Sequence, residues 1–168
     1  MRYLATAAVA AMALSCGPSA REPGDLQVCN LTLGGAVSSA QQCRSVVASW
    51  AQVSNQTAVL LTNVGSPIPL VTLTIGFSGP MRAGTFTHAD AGASGFIIVQ
   101  SGTSQWAALP ASASTPQGTY TMSVSDPGIS TPSGNGTVWP APVGTVDATM
   151  PALTGTSATG TVTLHLTF

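Results

Sequence analysis

GTVTLHLTF, residues 160–168, sets Val162, Leu164, Leu166 and Phe168 at every second position, with Thr161, Thr163, His165 and Thr167 between them. A period of two is the pattern of a β-strand with one buried and one wet face. The same texture runs backwards through the chain. LQVCNLTL (26–33), CRSVVASWAQV (43–53), TAVLLT (57–62), PLVTLTIGF (69–77), GFIIVQ (95–100), QWAAL (105–109), GTYTMSVSD (118–126) and GTVDATM (144–150) are short runs rich in Val, Ile, Thr and aromatics. Gly, Pro, Ser and Asn separate them at intervals of roughly ten residues, which is turn chemistry between strands. No segment after the first twenty-odd residues sustains the i, i+3, i+4 apolar spacing of a helix. The expectation is an all-β antiparallel sandwich of eight or nine strands.

GPMRAGTFT (79–87) and TPQGTYTMSV (115–124) form a local repeat: Pro, a short gap, then Gly-Thr-aromatic-Thr. Proline fixes the turn, glycine supplies the positive φ that other residues avoid, and the aromatic enters the next strand facing inward. The second copy resembles the P-x-G-x-Y strand entry of immunoglobulin-like and transthyretin-like sandwiches. That resemblance implies architecture and carries no active site.

Composition narrows the partners. Only 5% of the residues are charged, against about 25% in ordinary domains, and none is lysine. Clustered cations neutralise phosphates in nucleic-acid binding, and Arg44 and Arg82, the two cations of residues 26–168, do not form such a cluster. A polybasic membrane patch is excluded for the same reason. The surface must be solvated by hydroxyls and amides, with little charge repulsion between molecules.

The first residues describe a route. Arg2 is a basic start, and Tyr3 to Leu14 an apolar run of about a dozen residues, too short to span a bilayer but suited to a secretory signal. Ala13 and Ser15 put small residues at −3 and −1 of a cleavage point just before Cys16. With cysteine at +1, ALSCG resembles the lipobox of bacterial outer-membrane lipoproteins, although Leu14 stands at −2 where that family has leucine at −3. The resemblance implies removal of residues 1–15 and a lipid on Cys16. It also implies residence at the outer membrane, because Gly17 is not the aspartate that retains such proteins at the inner one. Residues 16–25 then form a polar tether with two prolines, and 26–168 a single domain of about 140 residues.

Three cysteines is an odd count. Whether Cys16 carries lipid or leaves with the signal, Cys29 and Cys43 remain as a pair in a compartment that permits disulfides. The pair is expected to join neighbouring or facing strands. More broadly, the Cys29/Cys43 pair, the Gly84-Thr85-Phe86 turn and the closing Ala158 to Phe168 strand are similar to small lipoproteins of Gram-negative bacteria. Those offer no activity to transfer.

The closing strand also resembles the terminal strand of outer-membrane β-barrels, which ends in an aromatic. Aromatics make up only 5% of the chain, too few for two interfacial girdles, and runs such as QWAAL are too short to cross a bilayer at a tilt. The sandwich is preferred.

Groups fit for chemistry are sparse. His88 and Asp90 share a glycine-rich loop, THADAGASG (87–95), and would need partners from elsewhere to form a metal or acid–base site. His165 is expected to face outward. GFSG (76–79) falls short of a nucleophile elbow, because Pro80 stands where the closing glycine belongs. Trp50 and Trp106 lie in strands and are expected to pack in the core. Trp139, in NGTVWPAP (135–142), is expected on a loop, where a tryptophan can stack on a sugar or a protein partner. The reading is a non-enzymatic, exported envelope lipoprotein without cofactor, metal or nucleic acid. It serves as a structural or interaction module, held to the membrane by its N-terminal lipid. The alternative is a glycan- or protein-binding adhesin using Trp139.

Overall fold

The computed structural model describes residues 29–63, 69–90, 94–110 and 118–168. The expected signal at 1–15, the lipidation site Cys16 and the tether at 16–25 lie outside the described residues. Every regular element among those described is a strand. In chain order they are β1 (Cys29–Gly35), β2 (Ser39–Ala51), β3 (Gln56–Asn63), β4 (Leu70–Ser78), β5 (Gly84–Thr87) and β6 (Ser94–Ser101). β7 (Ser104–Ala108), β8 (Thr119–Asp126), β9 (Thr131–Ser133), β10 (Gly136–Trp139), β11 (Val143–Pro151) and β12 (Thr161–Thr167) follow.

All pairings between strands are antiparallel, and the path of hydrogen bonds runs β5-β8-β11-β12-β1-β2-β3-β4-β6-β7. Two layers arise because β2 turns the corner between them. Its Ser39 to Cys43 segment pairs with β1, its register shifts between Cys43 and Ser45, and Ser45 to Ala51 continues against β3. A bulge of this kind bends a strand and increases its twist. On the side that β1 leaves, Ala48 to Ala51 is taken up by β10. The first layer is thus β5-β8-β11-β12-β1 and the second β10-β2-β3-β4-β6-β7, packed as a sandwich. Phe86 of β5 stacks on Phe77 of β4 across the interior, ring centroids 3.9 Å apart.

The alternation read in the sequence decides which face is dry. Val162, Leu164, Leu166 and Phe168 are buried beside Leu31 and Leu33 of β1 and Val146, Ala148 and Met150 of β11. From the second layer Val46, Val59, Leu73, Ile75, Ile97 and Val99 join the same core. Each fully buried Val, Leu or Ile contributes about 1.5–3 kcal/mol relative to exposure. Thr161, Thr163 and His165 face out, as expected. This sidedness is the reverse of a membrane barrel, whose apolar residues face lipid and whose polar residues face the lumen.

Cys29 and Cys43 stand directly opposite each other on β1 and β2 and are joined by a disulfide, with Cα atoms 5.0 Å apart. The neighbouring-strand option is therefore the one realised. Both copies of the repeat behave alike. Gly84 and Gly118 take positive φ, and Phe86 and Tyr120 turn into the core.

Two expectations need correction. Among the described residues the strands number twelve, against the eight or nine expected. Each of the nine runs holds a strand within its described residues, and β5, β9 and β10 are added, each of three or four residues and too short to display a period. Trp139 is not on a loop. It closes β10 opposite Ala48, and only 7% of it is exposed, because pairing with β2 draws the indole into the common core. It offers no surface for stacking on a ligand. Trp106 is buried as expected, its Nε1 donating to the Thr159 carbonyl at 3.2 Å, whereas Trp50 is half-buried.

Candidate functional site

The two outer faces of the sandwich differ in chemistry. Outward positions of the second layer mix Val47, Leu60, Leu70, Phe96 and Ile98 with Thr72, Thr74 and Gln100, and Leu60 and Leu70 are 41% and 42% exposed. Outward positions of the first layer are almost wholly hydroxylated. The register aligns them in rows across the strands. One row runs Thr32, His165, Asp147, Thr121, Thr87 and the next Gly34, Thr163, Thr149, Thr119. Strands lie about 4.8 Å apart and i, i+2 neighbours about 6.8 Å, so the face is a lattice of small polar groups.

At its centre His165 and Asp147 sit opposite each other on β12 and β11, Nδ1 and Oδ1 2.7 Å apart. Their side chains are 54% and 63% exposed, and a pair so solvated contributes about 0–1 kcal/mol to stability. Asp147 Oδ2, His165 Nε2 and the hydroxyls of Thr32, Thr121, Thr149 and Thr163 bond to no other described residue. Gly34 opens a notch beside them: a Cβ there would come within 3.0 Å of Thr163 Oγ1. Together these residues line a shallow concavity of about 470 Å³.

A second concavity, of about 300 Å³, lies at the β4–β5 corner. Arg82 spreads over the stacked rings of Phe77 and Phe86, its Cζ 5.5 and 5.1 Å from their centroids. Its Nη1 donates to the Ser78 carbonyl at 3.1 Å, which ties the guanidinium to its own turn.

The expected His88/Asp90 pair is not brought together by a bond between its side chains. The Asp90 carboxylate accepts the Thr87 amide, and His88 stands edge-on to Tyr120 with centroids 6.0 Å apart. Among the described residues no three His, Cys, Asp or Glu gather as metal ligands. Among the described residues His165 bonds to Asp147 and to no hydroxyl. The face presents hydrogen-bond donors and acceptors to solvent.

The reading of residues in isolation missed this pair, because Asp147 and His165 are eighteen positions apart and meet only in the β11–β12 register. A signal was present. Two alternating strands flank TGTSATG (154–160), and folding the chain back about Thr156 sets residue 147 against 165.

Comparison of the chain with protein-family models, with curated proteins and with solved structures finds no match. Fold and face together define a class: a disulfide-bearing β-sandwich with one hydroxyl-lined outer surface.

Proposed function

We propose that this chain is an exported, lipid-anchored, non-enzymatic interaction module of a bacterial envelope. The leader 1–15 is removed, Cys16 carries the lipid, residues 16–25 form the tether and the sandwich presents its first layer to a partner. The observation that carries the reading is the buried Cys29–Cys43 disulfide. Such bonds persist in oxidising compartments, and this one leaves Cys16 as the remaining cysteine, at the +1 position of a lipobox-like signal. Two or more acyl chains hold a protein stably at a membrane. The solvent-facing hydroxyls and the His165–Asp147 pair, bonded to no described hydroxyl, support recognition in place of catalysis. With Trp139 buried, the adhesin-like alternative passes from that residue to the first layer's face.

The test is intact-mass measurement on fractionated cells expressing the native chain or Cys16→Ser. The native protein should sediment with membranes and weigh more than the chain from Cys16 onward by its acyl groups, and the variant should become soluble. Two soluble proteins differing only by the substitution would remove the anchor from the reading.

A further inference from the structure

We propose that the concavity over β1, β12, β11 and β8 binds a neutral polyhydroxylated ligand, a stretch of polysaccharide, through Asp147, His165 and the threonines around them. The proposal rests on the interaction-module reading and names the ligand class of that face.

Three observations converge. The first is unused hydrogen-bonding capacity. Asp147 Oδ2 is a free carboxylate acceptor, His165 Nε2 projects from the other end of the pair, and four threonine hydroxyls have no partner among the described residues. A hydroxyl both donates and accepts, which matches the hydroxyls of a sugar ring, and bonds to the carboxylate are the strong ones. The second is charge. The lining holds one carboxylate beside one imidazole, and the chain has no lysine, so the face suits neither phosphate nor sulfate. The third is shape. The floor is a sheet face, open at its sides and deepened where Gly34 has no side chain, which admits a chain laid across the strands. The second layer's outer face mixes Val47, Leu60, Phe96 and Ile98 with Thr72, Thr74 and Gln100, and among these positions there is no carboxylate or imidazole.

The full-length protein, purified in detergent, is applied to an array of neutral oligosaccharides and polysaccharides built from glucose, galactose, mannose and N-acetylglucosamine. Asp147→Asn, Gly34→Val and the opposite-face control Leu60→Thr are run beside it, each checked by thermal melting. The native protein and Leu60→Thr should be retained on the same glycans, with at least tenfold weaker retention of Asp147→Asn and Gly34→Val. Asp147→Asn preserves shape, so it decides the matter should Gly34→Val fail to fold. Retention of the native chain on no glycan, or equal retention of both face variants, overturns the proposal. Loss of attachment to isolated envelopes in Asp147→Asn without retention of any glycan by the native chain would assign the face to a protein. That outcome overturns the ligand class and leaves the module reading intact, whereas an unmodified Cys16 would strike the anchor alone.

Discussion

Asp90 occupies both outward backbone groups of Thr87: its carboxylate accepts the Thr87 amide, and its own amide donates to the Thr87 carbonyl at 3.2 Å. β5 is the terminal strand of the hydrogen-bonded path. Because His88 N donates to the Tyr120 carbonyl, the even-numbered residues point at β8 and Thr85 and Thr87 point away. The carboxylate therefore stops half of an edge that would otherwise invite another chain. The other margins are stopped too. Gln105 of β7 accepts the Leu153 amide at 2.8 Å, and β10 is covered by β9, whose Pro132 has no amide to offer. In a chain with so little charge to keep copies apart, these plugs replace the edge lysines other proteins use.

Asp90→Ala is expected to lower stability by about 1 kcal/mol, one net hydrogen bond, and to make the protein associate through β5. Urea titration reads the first effect and concentration-dependent light scattering the second. Scattering indistinguishable from the native protein's would show that Asp90 does not guard that edge.

Removal of the disulfide, by reduction or by the Cys29→Ala/Cys43→Ala double change, should cost about 3 kcal/mol, the chain-entropy value for a loop of about 15 residues. Denaturant midpoints with and without reductant check it. A midpoint unmoved by reductant would mean that the β1–β2 ladder alone holds that corner.

The two faces of β12 predict opposite sensitivities. Leu164→Ala empties a core position and should cost about 2–5 kcal/mol, whereas Thr163→Val one residue earlier should stay within about 0.5 kcal/mol. Comparable losses at both positions would refute the assigned register.

Gly118 and Gly102 both hold positive φ, but only one is crowded. A Cβ at Gly118 would lie 2.2 Å from the Thr149 carbonyl oxygen and 2.8 Å from that of Ala107, while at Gly102 it meets nothing within 4 Å. Gly118→Ala should lower the melting temperature well beyond Gly102→Ala, for which the backbone conformation alone costs roughly 1–2 kcal/mol.

Tyr120 titrates above the ordinary tyrosine value, chiefly because burial disfavours the phenolate and secondarily because Asp90 repels it. A raised folded-state value means that the native state keeps its proton after the unfolded chain has lost it. The contribution is complete below about pH 10 and falls away as pH climbs from there through the native value. Tyr120→Phe should therefore flatten the alkaline limb of the stability profile. Its hydroxyl makes a long 3.5 Å bond to the Ser94 carbonyl, so little should change at neutral pH. An unaltered alkaline limb would assign the loss to other groups.

Much of this architecture was legible because alternation is a local property. Val162, Leu164, Leu166 and Phe168 announce a buried face whatever they pair with, and so do Val71, Leu73 and Ile75. β9 and β10 were not legible, because three or four residues such as TPS and GTVW show no period and become strands only when the edge of β2 recruits them. Trp139 was misplaced for that reason: its flanking proline marks where the strand stops, and says nothing of what lies beneath it. The candidate site was least visible, since Asp147 and His165 are unremarkable on their own strands and acquire meaning from the register between them.

β1 lies in the middle of the hydrogen-bonded path, between β12 and β2, and the disulfide fastens its first residue to β2. Tension applied through the N-terminal segment thus enters at an interior strand and is shared at once with its neighbour. Load directed along the strand would act on both ladders of β1 at once instead of peeling an edge one bond at a time. A domain hung by this end should resist mechanical pulling better than its thermal stability alone would suggest.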